Sequence, residues 1–268
     1  MIIIGILFFI FGFVTWLNGS LIPFLKVILS LSDFEALLVT FAFYIAYTVM
    51  ALPMAFILEK TGYKKGMTLG LLVMSVGSLL FIPAALNAEY YLFLVALFTL
   101  GTGLTLLQTA SNPYIVLLGP IESAAMRISI MGLINKSAGV LAPLVFSALV
   151  FSGIGSVDTL TQVDIETLAD KLIVPYVAMA LALVLLAVFV NRSSLEEVSY
   201  SRDEYDDTSI FAFTRVVLGA VALFFYVGIE VIAGDTIGLY AQGLGVVDVT
   251  ALTSYTMVFM VISYLAGV

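Results

Sequence analysis

Two carboxamides and a proline stand together in Gln108-Thr-Ala-Ser-Asn112-Pro113, inside an apolar stretch running from Tyr90 to Pro120. A carboxamide donates and accepts hydrogen bonds but cannot carry a proton, so such a pair suits an uncharged, hydroxyl-rich solute. At bilayer depth these groups are costly, because hydrocarbon offers no water to satisfy them. On a helix turning about 100° per residue, Gly101, Thr105, Gln108 and Asn112 fall within about 60° of one another. Ser129, Gly132, Asn135, Lys136, Gly139 and Pro143 form a second stripe. Gly12, Thr15, Trp16, Gly19 and Pro23 form a third, with Asn18 to one side. Helix packing in membranes explains the glycines. Gln108, Asn112 and Asn135 together exceed what packing needs, and are read as solute-binding residues.

Charge is the second kind of chemistry. Lys136 lies roughly 18 Å from the inner end of its apolar run, and Gln108 roughly 15 Å from the end of its own. Both therefore fall near the middle of a hydrocarbon core about 30 Å thick. An ammonium group there must be paired, hydrated or neutral. Glu230 and Asp235, on the seventh run, are the acids expected to pair with it or to couple an ion, unless its partner is an acid beyond this chain. Trp16, the single tryptophan, stands mid-run, away from the interfacial belt. It is read as a platform for the apolar face of a sugar ring, or as core packing.

Apolar runs of membrane-spanning length must position these residues. The chain is 62% hydrophobic and only 10% charged, with a mean hydropathy of +1.19. Soluble domains carry about 25% charge. The fold class is all-α integral membrane. Eight spans are expected, near 2–29, 34–58, 66–86, 90–118, 124–153, 172–190, 210–240 and 249 onward. The first starts at Met1 without a polar leader and the last stops at Val268 without an anchor, so the expectation is a carboxy-terminally truncated piece of a longer carrier. The first run is not read as a signal peptide, because it lacks a basic leading region and a small-residue cleavage site.

With a cytoplasmic amino terminus, the inner connections collect Lys60, Lys64, Lys65, Arg127, Arg192, Arg202 and Arg215, and the outer ones only Lys26 and Lys171. That bias sets the orientation. The net charge of -8 comes largely from loop acids, including Asp158, Asp164, Glu166 and Asp170, and nothing basic and clustered argues for nucleic acid. The acidic, serine-containing stretch 191–209 reads as a cytoplasmic linker. It divides an amino-terminal six-helix bundle, 1–190, from the first two helices of an incomplete second bundle, 210–268.

The inner connection Glu59-Lys60-Thr-Gly62-Tyr-Lys64-Lys65 allows a tight turn with alternating charge, suited to a gating loop. It resembles the loop signature of the major facilitator superfamily, with Glu and Lys where Asp and Arg are usual and Ala55 where a glycine usually leads. Three longer segments narrow the likeness: Phe8 to Leu25, Gln108 to Pro120, and Arg127 to Gly139. Together they resemble the fucose/galactose/glucose symporter family, nearest its bacterial glucose/galactose and N-acetylglucosamine branches. The likeness implies twelve helices in two bundles, with alternating access driven by a cation gradient. It also implies sugar or coupling roles for Gln108 and Asn135, and places Asn18 in a first-helix motif. Fucose-type members carry acids where Gly19 and Gln108 stand, so coupling here is expected to rest on Glu230, Asp235, a further helix or sodium.

The expected function is secondary transport of a neutral sugar, coupled to H+ or Na+, by a protein of a bacterial inner membrane that is monomeric and binds lipid and sugar but no nucleic acid. No cofactor or metal is expected, and the absence of His and Cys narrows any enzymatic reading. A phosphate-binding loop with Lys-Ser/Thr is missing, which argues against direct ATP drive. An amino-acid or drug carrier of the same superfamily and a non-transporting sugar sensor are the alternatives.

Overall fold

The computed structural model describes residues 1–150, 171–197, 209–246, 249 and 251–267, with Asn18 and Ile210 described by backbone alone. The acidic loop from Asp158 to Asp170 and most of the linker, including Arg202, lie outside the described residues. Within them are nine α-helices: α1 (Ile2–Ile28), α2 (Asp33–Thr61), α3 (Tyr63–Leu86), α4 (Tyr90–Leu117), α5 (Ala124–Val150), α6 (Ile173–Arg192), α7 (Thr214–Asp235), α8 (Ile237–Gly243) and α9 (Leu252–Gly267).

Helices α1 to α7 are long and apolar enough to cross a membrane, whereas the apolar part of α9, Leu252–Ala266, is shorter. The expected seventh span does not run unbroken to Tyr240. Its helix ends at Asp235, Thr236 caps it, and the short α8 follows. Hydropathy cannot show this break, because apolar residues continue on both sides of it.

Local rules account for the ends. Ser32 opens α2 with a capping box: its hydroxyl accepts from the Glu35 N–H at 3.3 Å while Glu35 Oε2 accepts from the Ser32 N–H at 2.8 Å. Lys26 pairs with Asp33 across the same corner at 2.5 Å. Gly62 turns α2 into α3 at φ 78°, a left-handed backbone that glycine adopts without penalty. Each of α1 to α5 contains one proline. Helices in membranes tolerate this where neighbours satisfy the freed backbone groups.

Packing follows small residues. α1 lies along α5, α2 along α4, α3 along both α4 and α6, and α9 against α5. Gly70 of α3 and Gly103 of α4 face one another so closely that a Cβ on either would strike the other's carbonyl oxygen. Gly12 meets the Asn135 backbone in the same way, bringing α1 onto α5. Phe81 and Tyr176 stack at 3.8 Å between α3 and α6. By contrast, α7 buries only Gly234 and Asp235.

Candidate functional site

Trp16 sits at the middle of α1 and exposes only 2% of its surface. Gly139 of α5 and Gly234 of α7 both lie against its ring, and a Cβ at either would overlap it. Met257 of α9 fills space beside both glycines. The Lys136 ammonium stands 4.5 Å from the ring centroid, a cation–π arrangement. In this conformation the indole is therefore covered. Its Nε1–H has no hydrogen-bond partner in the described structure.

Lys136 is ion-paired with Glu230 of α7. Both side chains are nearly enclosed, so the pair joins α5 to α7 away from solvent. The geometry thus brings Trp16, Lys136 and Glu230, three residues singled out in the sequence, into one cluster.

Asp235, at the end of α7, is fully buried and stands in a second cluster. It faces Tyr44 and Tyr47 of α2, and the Tyr47 hydroxyl also faces Thr15 of α1. Among the described residues, no hydrogen bond of ordinary geometry reaches either Asp235 oxygen, the Tyr44 hydroxyl or Thr15 Oγ1. The two tyrosine rings stack at 6.0 Å. Sequence reasoning missed Tyr44 and Tyr47, because tyrosines three apart on an apolar helix look like lipid-facing or packing aromatics. Beyond this cluster a cleft of about 580 Å³ opens between the Lys26–Asp33 corner and Thr236, Tyr240 and Gln242.

The amides are not gathered into that centre. Gln108 is half-buried and Asn112 exposed. The Asn135 side chain donates to the Phe8 carbonyl at 3.3 Å, tying α5 to α1. The Asn18 side chain lies outside the described residues.

Residues 4–268 match the Major Facilitator Superfamily. The chain belongs to that superfamily. It is 36% identical over 233 residues to the glucose/galactose transporter of Brucella abortus, covering 86% of this chain and 55% of that relative. It is 35% identical over 254 residues to a putative glucose/galactose transporter of Helicobacter pylori, covering 94% of this chain and 62% of the relative. The crystal structure of FucP, a transporter of the superfamily captured in an outward conformation, superposes with a TM-score of 0.76 at 25% identity. That alignment covers 99% of this chain and 69% of FucP. The chain spans between half and two thirds of the length of the two sequence relatives.

The superfamily-type loop after α2 does more than turn. Lys64 Nζ donates to the Ser193 carbonyl at 2.8 Å, and its backbone N–H donates to Glu197 at 3.1 Å. Glu197 also packs on Gly62, while Tyr114 of α4 donates to the Glu196 carbonyl at 3.1 Å. These bonds tie the loop to the chain leaving α6. Lys60 lies 4.1 Å from the Phe56 ring, and Lys65 is exposed. Arg127, read from sequence as a loop charge at the head of one family-like segment, is 8% exposed and spreads its guanidinium over the end of α4. It donates to the carbonyls of Ile115, Val116, Gly119 and Pro120 and to Ser123 Oγ, over 2.6 to 3.2 Å.

Proposed function

We propose that this chain is part of a carrier that moves a neutral sugar of the glucose, galactose, N-acetylglucosamine or fucose class by alternating access, coupled to a cation. The observation that carries this reading is the likeness to glucose/galactose transporters over most of the chain. The site's chemistry supports it: a half-buried amide at Gln108 and a shielded indole at Trp16 suit hydroxyls and the apolar face of a sugar ring. Gln108, Asn112 and Asn18 are the proposed hydroxyl-binding residues. Asn135 is proposed to shape the wall through its bond to α1. Lys136, Glu230 and Asp235 are the proposed charge-handling groups, and Glu59 to Lys65 the inner gate.

The relatives are bacterial and Lys and Arg gather on one side, which supports a bacterial plasma membrane with the amino terminus in the cytoplasm. A monomer suffices for this mechanism, and no cofactor is proposed. The test is counterflow of labelled glucose, galactose, N-acetylglucosamine and fucose in liposomes holding the complete carrier of which this chain is part. Exchange of at least one sugar, reduced by Gln108→Ala, is expected. Exchange of amino acids alone, or of nothing, would sink the proposal.

A further inference from the structure

The corner between α1 and α2 lies at the opposite end of α2 from the Glu59–Lys65 loop. After the break at Thr236, α8 packs on α1 near this corner. Lys26, Asp33 and Leu37 line one wall of the cleft of about 580 Å³ between them, and Thr236, Tyr240 and Gln242 line the other. Lys26 stands roughly 15 Å beyond Trp16 along α1. That separation is greater than one sugar ring spans, so a molecule in the cleft does not touch the indole.

Both walls hold polar groups with hydrogen-bonding capacity to spare. Lys26 donates to Asp33 Oδ1 at 2.5 Å, which leaves two ammonium protons and the second carboxylate oxygen. The Thr236 hydroxyl donates to the Ile232 carbonyl at 2.6 Å and keeps its lone pairs. Gln242 is half-buried and brings an amide that both donates and accepts. Among these groups Leu37, Leu239 and the Tyr240 ring supply apolar surface. Charge then selects the ligand. The ammonium and the carboxylate already compensate each other, so neither an anion nor a cation finds an unopposed partner. A molecule dense in hydroxyls, with an apolar ring face, can use all of these groups at once. The volume falls within the range of about 300–1,000 Å³ common for small-molecule sites.

We propose that this cleft is a second sugar site, where a neutral monosaccharide is held between the Lys26–Asp33 pair and Gln242 with Tyr240 as its platform. The choice of sugar as ligand rests on the sugar-carrier reading. With the amino terminus in the cytoplasm the cleft opens outward. Sugar arriving from that side meets it before the contact of Gly234 with Trp16.

The test takes the complete carrier of which this chain is part, in a cysteine-free form, with Leu239→Cys as its single thiol. Labelling by a maleimide is timed at rising concentrations of glucose, galactose, N-acetylglucosamine and fucose. At least one sugar should slow the reaction to a plateau. The half-protecting concentration should rise about tenfold in Asp33→Asn and in Gln242→Ala, the scale of one lost hydrogen bond to a charged or half-buried partner. In each variant an unprotected labelling rate equal to the parent's shows that the cleft is intact. In Gln108→Ala the half-protecting concentration should stay at the parent value. A thiol that does not react even without sugar, or labelling that no sugar slows, overturns the proposal. So does protection that follows Gln108→Ala and ignores both cleft variants, which would mark closure of the cleft driven from the central residues. Counterflow without protection defeats the cleft site and leaves the carrier reading standing. Protection without counterflow keeps the cleft site and defeats the carrier reading.

Discussion

Lys136 is held by two unlike forces: a charge pair with Glu230 and the face of the Trp16 ring. They can be separated. Removing one member of an enclosed ion pair typically costs about 3–5 kcal/mol, whereas replacing both members is often nearly neutral. The cation–π contact is worth about 2 kcal/mol when desolvated, and it survives in Glu230→Gln. Lys136→Met, which loses both interactions and strands the glutamate, should therefore destabilise more than Glu230→Gln. The double variant should recover most of the loss. Thermal unfolding midpoints of the purified protein check the order, and an additive double variant would show that the pair contributes nothing as a pair.

At the scale of elements, the turn from α4 to α5 depends on one guanidinium. The last carbonyls of a helix lack partners within it, and Arg127 serves four carbonyls around this turn from a planar fork. A lysine keeps the charge but is a point donor on a flexible stem. Arg127→Lys should cost about 2–4 kcal/mol, on the scale of charged hydrogen bonds. It should also speed amide exchange in the last turn of α4 while α1 exchange is unchanged. Equal protection in both proteins would refute the clamp. Arg127 also shows what sequence could and could not reveal. The long helices were legible because twenty or so apolar residues announce a span locally, and Lys136 was legible because a charge there is rare. The partners of Arg127, the break at Thr236 and the tyrosines facing Asp235 were not. Each depends on which helix comes alongside, and an apolar residue looks the same whether it faces lipid, a neighbour or a buried acid.

For the molecule as a whole, the informative feature is where α7 meets α1 and α5: within this chain its buried residues are Gly234 and Asp235. The contact between α7 and the helices before it is thus concentrated at one end, where Gly234 seats on Trp16 and Glu230 reaches Lys136. Such a narrow seam can part as α7 pivots without dismantling the packing of α1 through α6. It follows that side-chain volume at Gly234 should set the resting conformation. Gly234→Val places a Cβ into the Trp16 ring, whereas Gly228→Val, six residues earlier, meets nothing within 4 Å. Spin labels at Leu37 and Gln242 span the cleft beyond the seam. Their distance distribution in the full chain should lengthen in Gly234→Val and stay as wild type in Gly228→Val. A Trp16→Ala background should restore the short distance in Gly234→Val, because it removes the ring that the new side chain strikes. If the distance failed to respond to Gly234→Val, the seam would be a static contact and the pivot would lie elsewhere. If it responded but ignored Trp16→Ala, the indole would not be the surface on which α7 closes.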